Sequence, residues 1–241
     1  MRVGSLFSGI GGIELGFEKE GFETAWFVEL DPYARAVLKK HWPGVKVFDD
    51  VTKLDWGAMP PVDVLTGGFP CQDASIANVK GEGIGGARTG LWKHYLAGIR
   101  ALRPKFVVAE NVPNLLNRGF AEVVNDLAEI GYAAEWDVVR YELLVEAEGE
   151  RYVMERERLV TIAYPDSPGR QGLPQDSSDA NLEHRALAQA LLARWENELP
   201  RPLLLGVGDV FPSRLDRTRC TGNAVSPRMA QAIAIAIKRA E

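Results

Sequence analysis

Only two cysteines occur among the 241 residues, too few for a disulfide framework. That scarcity suits a reducing, cytoplasmic setting, where a lone cysteine is either a small core residue or a reactive thiol. No apolar run approaches the roughly 20 residues of a membrane-spanning helix. The start, Met1-Arg2-Val3-Gly4, lacks a basic patch followed by an apolar stretch, so no signal peptide is expected. No segment repeats, which leaves out repeat architectures. What is present is ordinary for a globular chain: 46% hydrophobic and 25% charged residues, enough to bury a sizeable core in one α/β domain or one domain with a small appendage.

Basic residues are also in the minority. The net charge is −5, which by itself argues weakly against a nucleic-acid partner. Its distribution matters more. Residues 1–165 carry 18 basic against 24 acidic side chains, and residues 166–241 carry 10 against 9. Arg201, Arg214, Arg217, Arg219 and Arg228 cluster with only Asp209 and Asp216 for company. Such a patch can grip a phosphate backbone, although charge alone fits a solvated face equally well.

Short β-rich runs alternate with helical patterns. Strands are expected at Val3–Phe7, Thr24–Glu29, Val45–Phe48, Val62–Thr66 and Phe106–Ala109, and helices at Gly12–Glu20, Pro32–Trp42, Leu91–Leu102 and Ala121–Ile130. This predicts a Rossmann-like, doubly wound, mostly parallel sheet. Tyr132–Val145 and Leu159–Tyr164, joined through Glu146–Glu150, suggest an antiparallel pair at its edge. Pro165–Asp179 reads as loop, Leu182–Trp195 as helix, Pro200–Leu215 as irregular and Pro227–Arg239 as a closing helix. The expected organisation is a catalytic domain over 1–165, completed by 220–241, with a small irregular target-recognition region over 166–219.

Chemistry-bearing residues gather at the ends of the expected strands, where open parallel sheets bind ligands. Phe7-Ser8-Gly9-Ile10-Gly11-Gly12 forms a glycine turn before a helix, and Glu29 with Asp31 follows the second strand; an acid there can accept from a ribose diol. Together they suggest a nucleoside-containing cofactor, without choosing between a dinucleotide and S-adenosylmethionine. Gly67-Gly68-Phe69-Pro70-Cys71-Gln72 follows the fourth strand, placing Cys71 either as nucleophile or as a small buried hydrophobe. The glycine-rich stretch Gly81–Gly90, with Lys80, Arg88 and Lys93 around it, reads as a lid over an anionic substrate or as an ordinary loop. Glu110-Asn111-Val112 puts a carboxyl on the same rim, as proton donor or as structural cap.

Taken together, these residues resemble the cytosine-5 DNA methyltransferases. Ser5–Gly12 is similar to that family's cofactor motif, Pro70-Cys71-Gln72 to its nucleophile motif and Glu110-Asn111-Val112 to its acid motif. Arg156-Glu157-Arg158 is similar to its arginine motif and Gly222-Asn223-Ala224-Val225 to its closing motif. All five stand in family order. Ser5 replaces a frequent Asp, Leu30 a frequent aromatic and Met154 a Gln.

The resemblance implies methyl transfer from S-adenosylmethionine to carbon 5 of cytosine in duplex DNA, with the base flipped out of the helix. Cys71 attacks carbon 6, Glu110 holds ring nitrogen 3 and the amine, and Arg158, supported by Arg156, holds the 2-oxo group. Phe7 packs on the adenine, Glu29 holds the ribose and Asp50 the adenine amine. Gly9, Gly11, Asn223 and Val225 line the methionine portion, and Leu30, Val51 and Pro70 complete the pocket. Arg88, Arg201, Arg214, Arg217 and Arg219 are the expected DNA contacts, for a site on the order of two to four base pairs. The expected protein is a monomer without metal, of the short phage-type or solitary kind; restriction-modification, phage self-modification and regulation all remain open as roles. The alternatives are a tRNA cytosine-5 methyltransferase, whose Cys-Phe-Thr signature is absent here, a Rossmann oxidoreductase and a catalytically silent DNA-binding relative.

Overall fold

The computed structural model describes residues 1–70, 89–147, 150–166, 204–205 and 225–240. Five strands lie parallel: β1 (Arg2–Leu6), β2 (Glu23–Val28), β3 (Lys46–Phe48), β4 (Val64–Gly67) and β5 (Phe106–Asn111). Two long strands, β6 (Tyr132–Ala147) and β7 (Glu150–Pro165), form an antiparallel hairpin, and the two-residue β8 (Leu204–Leu205) pairs parallel with β6. The sheet order is β3-β2-β1-β4-β5-β7-β6-β8. The expected α/β class and mostly parallel, doubly wound sheet are therefore present.

The chain winds outward from β1 to β3, then returns to β4 on the other side of β1. The switch lies between β1 and β4, where Leu6 pairs with Gly67. The carboxyl ends of these two strands thus lie side by side, and the crevice of such a sheet opens there.

Alternation along the central strands sends side chains to two cores. Val107, Ala109, Leu159 and Ala163 join Leu6, Leu65 and Trp26 beneath α3 (Trp92–Leu102) and α4 (Phe120–Glu129). Val108 and Val160 join Val3 and Val64 beneath α1 (Gly12–Lys19) and the closing helix α5 (Pro227–Ala240). The hydroxyl of Tyr95 lies 3.1 Å from the Leu65 carbonyl and 3.0 Å from that of Val108, linking β4 to β5 from within. The helix α2 (Pro32–His41) starts at Pro32 behind Asp31, whose carboxylate accepts from the Tyr33 and Ala34 amides at 2.8 and 3.3 Å. Asp31 is therefore a helix cap. No helix among the described residues is long and apolar enough to cross a membrane.

The late hairpin differs from expectation. Its second strand begins at Glu150, not Leu159. The stretch from Glu150 to Arg158 is mostly charged, and its pairing partner is β6, from Glu150↔Ala147 to Arg158↔Val139. The strand β5 ends at Asn111 opposite Leu159, so the hairpin runs on past the rim of the parallel sheet. The expected helix Leu182–Trp195 lies outside the described residues.

Gly16, which weakens the helical pattern of α1, has a packing reason. A Cβ there would lie 2.2 Å from the Pro227 carbonyl and 2.6 Å from the Ala230 Cβ, and one on Gly12 would lie 2.4 Å from the Val225 carbonyl. The helix α1 meets the start of α5 at backbone distance. Gly16→Ala should therefore destabilise the fold by about 1–3 kcal/mol through overpacking, despite a helix-propensity gain of about 1 kcal/mol. Urea unfolding reads this directly; an unchanged or raised midpoint would contradict the close contact.

Candidate active site

The turn after β1 is held from both sides. Phe7 adopts a left-handed backbone, φ 52°, as do Gly9 and Gly11 at 55° and 84°. A Cβ at Gly11 would meet the Trp42 ring at 2.6 Å, and the Trp42 indole N–H donates to Glu18 at 2.7 Å. Gly11 therefore lets the turn lie flat on α2. Nothing lies within 4 Å of where a Gly9 Cβ would stand, so that side of the turn is open.

Glu29, just past β2, faces this opening. Its two carboxylate oxygens accept the Gly9 amide at 2.7 Å and the Asp31 amide at 2.8 Å. The Arg35 guanidinium donates to the Glu29 and Leu30 carbonyls at 3.1 and 2.5 Å, fixing the backbone that presents the acid. Each carboxylate oxygen has a second lone pair, so Glu29 can still accept from a diol. Leu30 is 70% exposed beside it, an apolar surface suited to a planar ring. Asp50 caps a short turn: its carboxylate takes the Thr52 amide and hydroxyl at 2.9 and 2.7 Å and pairs with Lys53 at 3.1 Å. These partners, the Thr52 bonds foremost, pull its carboxyl down to about 2, so it is an anion at any working pH. Val51 is buried in the core. This donor and acceptor set fits the adenosine end of a nucleoside cofactor.

On the other side of the switch, the segment Gly68-Phe69-Pro70 leaves β4. Phe69 is buried against Trp92, with ring centroids 5.2 Å apart. Its carbonyl accepts from the Asn111 side-chain amide at 3.0 Å. Asn111 thereby ties the end of β5 to the segment leading into Cys71.

Glu110 lies between. It is 9% exposed, and a Cβ on Gly68 would stand 2.7 Å from its Oε2, so only glycine leaves the carboxyl its space. Arg158 on β7 pairs with it, Nε to Oε1, at 2.6 Å. Arg158 is held in turn by a 2.8 Å bond to the Glu157 carbonyl. The pair exists because β7 runs antiparallel beside β5, with Glu110 opposite Val160. Burial pushes the Glu110 carboxyl up to about 7, against the pull of Arg158 and then Arg156. Desolvation prevails because the solvation an ion loses on leaving water, several kcal/mol, exceeds what the two arginines return here. The arrangement can hold a proton near neutrality beside a fixed cation.

The structure thus brings Glu110, Arg158 and Arg156 together with Gly68–Pro70, and groups Phe7, Gly9, Gly11, Glu29 and Leu30 across the switch. Val225 is buried against the start of α1. Cys71, Arg88, Arg201, Arg214, Arg217, Arg219 and Asn223 lie outside the described residues, as do positions 81–88 of the expected lid. Among the described residues no group of His, Cys, Asp and Glu forms a metal site. The sequence reading missed Arg35 and Asn111 as supports, and Glu14, a fully buried acid of α1.

The raised Glu110 carboxyl makes a stability prediction with a definite sign. Its folded value of about 7 exceeds the ordinary 4.5, so its favourable contribution is complete below the unfolded value and is lost as pH rises through about 7. Glu110→Gln should therefore gain on the parent as pH rises, by on the order of 2 kcal/mol between pH 5 and 8. Urea unfolding across that range measures the difference; a pH-independent difference would contradict a buried, proton-holding carboxyl.

The chain is similar in sequence and fold to known proteins. The family model "C-5 cytosine-specific DNA methylase" matches residues 1–178. The chain is 48% identical over 140 residues to the Type II methyltransferase M2.BsuMI of Bacillus subtilis (strain 168), covering 55% of this chain and 35% of that protein. It is 30% identical over 228 residues to the Type II methyltransferase M.BsuFI of Bacillus subtilis, covering 90% and 53%. The chain thus spans about half the length, or less, of these relatives. A solved structure from an Escherichia coli prophage, described as a DNA modification methyltransferase, superposes with a TM-score of 0.52 at 25% identity, over 68% of this chain and 47% of that one. With the family model matching residues 1–178, the chain belongs to the C-5 cytosine-specific DNA methylase family.

Proposed function

We propose that this protein methylates carbon 5 of cytosine in duplex DNA. The observation that carries the reading is the Glu110–Arg158 pair, buried beside the segment that leads into Cys71. S-adenosylmethionine, bound along Phe7, Gly9, Gly11, Glu29, Leu30 and Asp50, would supply the methyl group.

Carbon 5 of cytosine is a weak nucleophile while the ring is aromatic. The Cys71 thiolate adds to carbon 6, forming a carbon–sulfur bond and pushing an electron pair into the ring. Glu110, which keeps its proton to about pH 7, donates to ring nitrogen 3 and makes carbon 5 enamine-like. Arg158 and Arg156 are fixed cations for the 2-oxo group, where negative charge develops. After carbon 5 is methylated, its proton leaves, the electron pair expels the Cys71 thiolate, and the ring becomes aromatic again. A buried pair at a sheet rim cannot reach a stacked base, so the cytosine must rotate out of the duplex. Arg88, Arg201, Arg214, Arg217 and Arg219 would hold the flanking backbone. Residues 1–165 with 220–241 form the catalytic domain in this reading, and 166–219 the recognition region.

Transfer of tritiated methyl groups to duplex DNA, tRNA and a cytosine-free duplex tests this. Label should enter only the cytosine-containing DNA. Cys71→Ala should abolish it, and Arg158→Ala should slow it by about 10²–10³-fold. Label on tRNA alone would move the protein to an RNA substrate. No label on any substrate would remove the proposed activity.

A further inference from the structure

Glu14 takes no part in the chemistry above, yet it is 0% exposed. It lies in the first turn of α1, on the face with Ile13 and Phe17 that is buried against the sheet. The Thr66 hydroxyl donates to its Oε1 at 2.8 Å. Ser5 on β1 lies close enough to the carboxyl to oppose its upward shift, and the Ser5 hydroxyl donates to that of Ser8 in the glycine turn at 2.8 Å. The Ser8 hydroxyl in turn reaches the carbonyls of Ser5 and Val28 at 3.1 and 3.3 Å. The second carboxyl oxygen, Oε2, is buried without a hydrogen-bond partner.

A half-satisfied carboxyl in a dry core is unfavourable for folding, so stability alone gives no reason for an acid here. Its contacts give one. Ser5 and Ser8 belong to the strand and turn that face the cofactor crevice. Thr66 stands one residue before Gly67 at the end of β4, where the chain turns toward Phe69, Pro70 and Cys71.

We propose that Glu14 is a positioning residue that locks the glycine turn to the end of β4, so that the cofactor site and the nucleophile segment keep one fixed spacing. The proposal deepens the functional reading above and rests on it. Burial holds the carboxyl in its neutral form more strongly than usual, opposed by the Ser5 and Thr66 bonds; a neutral amide of the same shape can therefore take its place. Loss of the group frees the Ser5 and Thr66 hydroxyls, and the turn shifts against β4. Misplacement by about 1 Å at a distance from the chemistry is enough to lose about 10²-fold in rate.

The test is calorimetric titration with S-adenosylhomocysteine, alongside methyl transfer and thermal midpoints, for the parent chain, Glu14→Gln, Glu14→Ala and Thr66→Val. The two variants that remove the network should weaken binding about tenfold and lower kcat by about 10- to 100-fold, with the KM for DNA unchanged. Glu14→Gln should restore both to within about twofold of the parent, as a neutral group of the same shape. Glu14→Ala and Thr66→Val that bind and turn over like the parent, whatever their midpoints, would show a merely structural role and overturn the proposal. A Glu14→Gln as impaired as Glu14→Ala would also overturn it. A parent chain that binds the probe tightly but methylates nothing would sink the functional reading, while the binding series still decides the role of Glu14. A parent chain that does not bind the probe would overturn both.

Discussion

A carboxyl withdrawn from water beside one guanidinium is the constraint on which the site depends. Glu110 and Arg158 meet at 2.6 Å on neighbouring antiparallel strands. Neither would be tolerable at that depth alone: a lone buried charge is heavily penalised. Burial leaves Glu110 a carboxyl that holds its proton to about pH 7 against the pull of Arg158 and Arg156. The rest of the architecture serves that pair. The hairpin β6–β7 brings the arginine, β5 brings the acid, and Gly68 leaves the acid room.

The second constraint is spacing. The reversal of strand order between β1 and β4 places the turns that follow these two strands next to each other, Leu6 beside Gly67. Each turn is then braced from behind by different means. Trp42 lies under Gly11, Asn111 holds the Phe69 carbonyl, and Arg35 holds the backbone at Glu29. Glu14, on the helix that follows the first turn, accepts from the Thr66 hydroxyl near the end of β4. Close backbone contact through Gly12 and Gly16 sets Val225, Pro227 and Ala230 against the start of α1.

Much of this was legible in the sequence, and the exceptions have physical reasons. The central strands β1, β4 and β5 stood out because strands buried on both faces are mostly apolar, as Val64–Gly67 is apart from Thr66. Glu29 and Glu110 stood out because they are acids at the ends of such strands. The length of β7 did not, since six of the nine residues from Glu150 to Arg158 are charged and the stretch pairs with β6 beyond the end of β5. Gly16 looked like a flaw in a helix; four residues from Gly12, it is half of a contact that only three-dimensional packing reveals. Glu14 left one signal, an acid between Ile13 and Phe17 on the apolar side of α1, where a charge is out of place. Asp31 looked like a second ribose acid, but its carboxylate is occupied in capping α2.

The most direct test of the central claim uses duplex DNA in which the target cytosine carries fluorine at carbon 5. A fluorine there cannot leave as a proton does, so the bond between Cys71 and carbon 6 persists once the methyl group has been delivered. Incubation with S-adenosylmethionine should yield a denaturation-resistant complex of protein and DNA, and peptide mapping should place the DNA on Cys71. A complex mapped to Cys220, or none from a preparation that methylates ordinary DNA, would contradict covalent catalysis at this site.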